Sequence, residues 1–248
     1  MEYGEHLASV ERDVARIGDA LRAGPLDVVV PSCPDWTLRA LTEHVGAQFC
    51  AFWCHVLCEA NGHDKPDVPA LPADDDDVAA WFDGCARGLV DELHATTPDT
   101  NVWTWVPDQQ HAAFVARRAA HELAVHRYDA QLARNANEPI EADVAADGIE
   151  EIFVMADAWR VNDPTSGCGN GETVHVHGTD EGRNDEWLLT LTPDGLRVER
   201  AHAKGDLALR GAVSDLELTL YGRPTVGPVE RFGDERALDA WRKAFTFG

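Results

Sequence analysis

Glu122 and His126 stand four residues apart in Arg117-Arg118-Ala119-Ala120-His121-Glu122-Leu123-Ala124-Val125-His126-Arg127-Tyr128-Asp129, a stretch of good helix formers without Gly or Pro. On an α-helix residues at that spacing share a face, so a carboxylate and an imidazole project side by side, with Asp129 about one turn further on. Such a pair can grip one metal ion. His121 gives the stretch a passing likeness to the zinc-protease His-Glu-x-x-His motif, which needs two histidines four apart. His121 and His126 are five apart, about 140° around a helix. The usable pair is therefore Glu122 with His126. The same spacing also suits a solvated i,i+4 pair, so the chemistry depends on what else converges there.

Helical bundles build metal sites from inward-facing residues on several helices. His44, in Leu38-Arg39-Ala40-Leu41-Thr42-Glu43-His44-Val45, follows Leu41 by three residues and so lies near the apolar face of another helix. It is the best third ligand in the sequence, with a core or boundary histidine as the other reading. Cys50, Cys54 and Cys58 repeat every four residues in an apolar segment, and none of the six cysteines forms a C-x-x-C. Small hydrophobes on a buried helix face are favoured over a metal or redox cluster. His175 and His177 share one face of a strand and read as exposed strand histidines rather than ligands. The run Asp74 to Asp77 lacks the spacing and central Gly of a calcium loop and reads as a solvated helix N-terminus.

The elements that must position these residues follow from periodicity and punctuation. Residues 3–23 read as a helix with Leu7, Val10, Val14, Ile17 and Leu21 on its apolar face, ended by Gly24-Pro25. The prolines of 28–34 hold an extended segment. Asp35 or Thr37 can cap a second helix running to residue 60, closed by Asn61-Gly62, before a Pro- and Asp-rich loop over 63–76. Further helices are expected over 76–95, 109–134 and 142–160. The loop 97–108 carries Trp103 and Trp105, which suit either a pocket wall or bundle core. Composition changes near 161, where 162–171 is rich in Gly, Asn and Pro. Strands are then expected over 173–177, 187–192, 196–199 and 207–210, and helices over 212–221 and 234–246. The expected division is a helical bundle over 1–160 and a smaller α+β domain over 161–248.

At 248 residues the chain can bury one or two sizeable cores. A formal net charge of −23 argues against nucleic acid and anionic membrane surfaces as partners. No apolar run approaches the roughly 18 residues of a membrane span. The first residues lack the basic and apolar regions of a secretory signal, so a cytoplasmic location with reduced thiols is expected.

The segment Cys33-Pro34-Asp35-Trp36-Thr37-Leu38-Arg39-Ala40-Leu41-Thr42-Glu43-His44-Val45, followed by the 117–130 stretch, resembles the mycothiol-dependent maleylpyruvate isomerase family. Gly205-Asp206-Leu207-Ala208-Leu209-Arg210-Gly211 through Leu220-Tyr221-Gly222-Arg223 is similar to that family's C-terminal signature, so the resemblance covers nearly the whole chain. It implies a two-domain α+β fold: an N-terminal DinB-like up-down four-helix bundle carrying a divalent metal, and a smaller C-terminal α+β domain like sterol-carrier folds. By position the family's metal triad falls on His44, Glu122 and His126. Its active-site Arg falls on Arg223, with Arg210 in reserve. Asp129 matches a position that orients a ligand or pairs with Arg118.

Two imidazoles and one carboxylate suit zinc and leave a coordination position open. A thiol bound there loses its proton near neutral pH. The resemblance implies that this thiol is mycothiol and that the second reactant is an electrophilic small molecule. Addition followed by bond rotation and expulsion gives cis–trans isomerisation; retention gives S-transfer. Arg223 can clamp a substrate carboxylate. Two other classes compete. One is a non-catalytic small-molecule-binding protein with a structural metal, closed by His55 or His121 as fourth ligand. The other is a metal-dependent hydrolase with Asp129 or Glu43 as general base.

Overall fold

The computed structural model describes residues 1–58, 68, 70–160, 163–165 and 167–245. The chain divides into two compact units, residues 1–138 and 139–248.

In the first unit, α1 (Tyr3–Arg22) leads into a short hairpin of β1 (Val29–Val30) and β2 (Cys33–Thr37). Thr37 caps α2 (Leu38–Glu43), its Oγ1 accepting from the Ala40 N–H at 3.2 Å. The helix expected to run unbroken to residue 60 is not regular. His44–Ala51 is π-helical and α-helical geometry resumes only in α3 (Phe52–Cys58). Tight packing coincides with the change: at Gly46, two residues into the π-segment, a Cβ would stand 2.6 Å from the Trp81 ring. Asn61-Gly62 lies outside the described residues.

Asp74 caps α4 (Asp75–Ala95) by accepting from the Asp76 N–H, which gives the acidic run its helix-terminal role. The next helix, α5 (Ala112–Leu132), is capped by His111 and is the centre of the unit. Ala116, Ala119, Ala120, Leu123, Ala124 and Tyr128 are fully buried around it, and small residues let α1 pack along its length. Trp105 packs on Trp53 and Phe114, and Trp103 on Phe52, so the two tryptophans join the bundle's aromatic core.

The second unit opens with α6 (Ala142–Trp159), a helix that the sequence pattern assigns to the first domain. The Gly-rich change near 161 is a loop inside this unit rather than the boundary between units. Asn162 and Ser166 of that loop lie outside the described residues. The sheet comprises β3 (Glu172–Gly178), β4 (Glu186–Thr192), β5 (Gly195–Glu199), β6 (Leu207–Gly211) and β7 (Glu230–Gly233), in the order β5-β4-β3-β6-β7. β3 pairs β6 in parallel and the remaining pairs are antiparallel. The edge strand β7 has no counterpart among the expected strands: it is exposed along its length, so it lacks the apolar alternation that marks a strand. α7 (Val213–Leu220) and α8 (Arg236–Ala244) complete the unit. One sheet face buries Val174, Val176, Trp187, Leu189, Leu207 and Leu209, where α7 and α8 pack. Among the described residues no helix is long and apolar enough to cross a membrane.

Candidate metal centre

His44, at the start of the π-segment, meets Glu122 and His126 from α5. Glu122 Oε1 lies 3.2 Å from His126 Nε2 and 3.6 Å from His44 Nε2, and the two imidazole rings meet edge-on with centroids 5.2 Å apart. One ligand atom from each of the three residues lies within 4.8 Å of the others. Spacing along α5 supplies two of these groups, and the departure from α-helical winding coincides with the third. π-turns recur at functional sites because they re-aim side chains locally.

The atoms facing away from the centre are also held. His126 Nδ1 donates to Asp129 Oδ2 at 3.0 Å, and Asp129 Oδ1 accepts from Ser32 Oγ at 2.6 Å. That bond keeps a proton on Nδ1, so that Nε2, which faces Glu122, is the nitrogen a metal would take once its own proton is displaced, as in carboxylate–histidine–metal sites. Glu122 Oε2 accepts from Arg118. His44 Nδ1 lies 3.4 Å from Gln48 Oε1, and the His44 ring packs against Trp36 at 5.0 Å. The donor set therefore fits a divalent first-row metal: two imidazole nitrogens and one carboxylate oxygen, each oriented from behind.

Burial opposes ionisation of Glu122, but the Arg118 charge and hydrogen bonds from His126 and His44 outweigh it and hold the carboxyl well below its usual range. Burial likewise opposes charge on His126, yet its bonds to Asp129 and Glu122 win and raise the imidazole to about 9. His126 is almost closed off, whereas the side chains of His44 and Glu122 keep 28% and 21% of their surface. The approach to the centre is thus from their side.

Asp129 orients His126, one of the two roles expected of it. Arg118 pairs with Glu122, a partner that the i,i+4 rule alone could have named. Ser32 has no sequence signal, since it lies 97 residues from Asp129. His55 does not join the cluster: the wider π-turns rotate it off the face that regular winding would share with His44. His121 is buried against the His6 ring, 6.0 Å between centroids, and is not a member of this cluster. Burial raises the thiols of Cys50 and Cys54, keeping them protonated near neutral pH. Cys50 is buried, Cys54 intermediate and Cys58 exposed, so the cysteine row runs from core to surface.

Arg223 belongs to the second unit. It follows Gly222, whose φ of +71° lets the chain turn sharply after α7. Arg223 is only 8% exposed, Nη1 donates to the Tyr221 carbonyl at 3.1 Å, and the guanidinium stacks 5.5 Å from the Tyr221 ring. Arg210 instead pairs with Glu230 on the sheet at 2.6 Å.

Comparison with known proteins adds independent evidence. The family profile described as Mycothiol maleylpyruvate isomerase N-terminal domain matches residues 7–131, and the MDMPI C-terminal domain profile matches residues 143–240. Among solved structures, the chain is similar to a crystal structure of the mycothiol-dependent maleylpyruvate isomerase, with a TM-score of 0.62 and 15% identity over 93% of both chains. It is also similar to a histidine-to-alanine mutant of that isomerase, with a TM-score of 0.61 and 14% identity over 93% of both chains. Among curated proteins there is no significant match. Two adjoining family domains in the expected order span nearly all of the chain, so it belongs to the mycothiol-dependent maleylpyruvate isomerase family.

Proposed function

We propose that this protein is a metal-dependent enzyme that activates mycothiol, a low-molecular-weight thiol, for addition to an electrophilic small molecule. The product is either an S-conjugate or a cis–trans isomer, with transfer the favoured reaction. One observation carries the reading: three metal-binding atoms converge while the far side of each ligand is anchored by Asp129, Arg118 or Gln48. When bound, a divalent metal such as zinc supplies a position at which a thiol loses its proton near neutral pH. The chain's own residues prepare that position. Arg118 keeps Glu122 ionised, Asp129 aims His126, and Trp36 and Gln48 steady His44.

Asp129 is a positioning residue. Asp129→Ala is expected to weaken metal binding about 10–100-fold, the usual cost of losing an outer partner. A titration of the metal-free variant reads this directly, and an unchanged Kd would refute the role. Arg223 is assigned the substrate's anionic group, because a guanidinium binds carboxylate bidentately. Arg223→Ala should raise KM on the order of tenfold, the worth of a charged hydrogen bond. Unchanged kinetics would discard the assignment.

The proposed activity is tested by incubating zinc-loaded protein with mycothiol and maleylpyruvate. Loss of free thiol matched by adduct identifies transfer. Isomer formed without net thiol loss identifies isomerisation. Neither reaction with this electrophile, or with a panel of α,β-unsaturated acids and epoxides, would reject thiol activation. The binding-protein and hydrolase readings gain no support: His55 and His121 stay outside the cluster, Asp129 is engaged with His126 and Ser32, and Glu43 is exposed.

A further inference from the structure

The sheet of the second unit carries another convergence of ligating side chains. His175 and His177 are two apart on β3, and Glu186 on β4 stands opposite His177 in the antiparallel register. All three therefore rise from one face, the reverse of the face that buries Val174, Val176 and Trp187. His202 arrives by a different route. The strand order obliges the chain leaving β5 to pass β4 and β3 before it can pair with β3 as β6, and His202 lies on that crossing.

Glu186 is the hub. Its Oε1 lies 2.8 Å from His177 Nδ1, and its Oε2 lies 2.7 Å from His202 Nδ1 and 3.5 Å from His175 Nε2. The three imidazole rings meet pairwise edge-on at 5.5, 5.8 and 5.9 Å. One ligand atom from each of the four residues lies within 4.8 Å of the others. A tetrahedral zinc with bonds of 2.0–2.1 Å holds its ligand atoms roughly 3.3 Å apart, inside the 4.8 Å that encloses this set.

His175 supplies an independent observation. Strand spacing alone makes it an exposed histidine, but it is only 7% exposed. Its Nε2 is buried, makes no hydrogen bond, and lies 3.5 Å from Glu186 Oε2. Buried polar atoms are nearly always satisfied, so an orphan imidazole nitrogen in such company points to a ligand.

We propose that His175, His177, Glu186 and His202 form a second metal site, within the C-terminal unit, that takes a zinc-type divalent cation. Three imidazoles and a carboxylate make a closed four-ligand set, the pattern of structural rather than catalytic zinc. The cation ties the β5–β6 crossing to the sheet. This assignment is independent of the thiol chemistry proposed for the bundle.

The test uses the full chain, stripped of metal and titrated with cobalt(II) as a spectroscopic probe and with zinc. His126→Ala lacks a bundle ligand and is expected still to bind one equivalent of cobalt, with the intense visible absorption of a four-coordinate ion. Adding His202→Ala removes a ligand and should weaken that remaining binding on the order of 1,000-fold, beyond the roughly 10–100-fold cost of losing an outer partner. The His202 side chain is 80% exposed, so its removal leaves the fold in place, which circular dichroism checks. His177→Gln is the second variant and should show the same loss. Zinc should raise the Tm of His126→Ala and not that of the double variant. Folded His126→Ala that binds no cobalt, or His202→Ala and His177→Gln that keep the full stoichiometry and affinity of wild type, would overturn the proposal. A bundle without metal would leave the cobalt signal of this sheet site unchanged, so the two sites fail separately.

Discussion

His126→Ala is expected to lose one bound metal per chain and to reduce thiol conjugation to the uncatalysed background. Removing an outer partner of a metal ligand costs about 10–100-fold in affinity, and removing a ligand outright should cost on the order of 1,000-fold or more. Mass spectrometry of purified wild type and variant gives the metal count, and the thiol assay gives the rate. The pH dependence supplies a second signature. In the metal-free protein His126 titrates near 9, because Asp129 and Glu122 favour its charged form more strongly than burial opposes it. The ring is therefore protonated at pH 7, and metal must displace that proton. Apparent affinity should rise about tenfold per pH unit below 9 and level off above it. Calorimetry in buffers of different ionisation enthalpy should show about one proton released at pH 7. A folded wild type that takes up no metal at the bundle when zinc is supplied would end the thiolate mechanism. Metal uptake without proton release would show that His126 is already neutral at pH 7 in the metal-free protein.

The sequence makes legible those parts of the site that obey local rules. Glu122, His126 and Asp129 sit on one unbroken helix, so their mutual placement follows from its period alone. His44 is legible as a residue on the apolar side of another helix, and its convergence with α5 needs the resemblance as well. What spacing could not show is the π-segment, because an i→i+5 pattern has no residue signature comparable to a proline kink or a glycine cap. That irregularity spoils the regular-helix argument for His55. The boundary near 161 fails for a different reason. A Gly- and Asn-rich stretch marks a loop, but a loop inside a unit and a loop between units have the same composition. The helix 142–160 reads as one more bundle helix, yet its partners are α7 and β5. On the sheet, period-two spacing puts His175 and His177 on a common face. It could not foresee the crossing that brings His202 over them, since that depends on strand order.

Asp13→Ala is expected to destabilise the bundle by about 3–5 kcal/mol, the cost of leaving a buried charge without its partner. Arg127 and Asp13 have no exposed side-chain surface, and Arg127 Nε donates to Asp13 Oδ1 at 3.2 Å. The same guanidinium donates to Gln131 Oε1 at 2.8 Å and to the Glu138 carbonyl at 2.6 Å, so it joins α1, α5 and the end of the first unit. Alanine at 13 would take the carboxylate away from a guanidinium held out of water. Asp13→Asn keeps an acceptor and should lose less. Urea denaturation followed by tryptophan fluorescence measures both, and an Asp13→Ala midpoint equal to wild type would sink the idea. The pair also separates two roles within one motif. His126 faces the metal centre, while Arg127, the next residue, is turned about 100° around the helix toward α1. Excess metal does not close the gap to wild type: a ligand at about 100 times its Kd adds about 2.7 kcal/mol to the folded state of wild type and variant alike. Asp13→Ala should therefore lose stability even when saturated with zinc, while the fraction that stays folded keeps the wild-type metal affinity. His126→Ala should show the converse, a bundle that folds without metal and no longer takes it up.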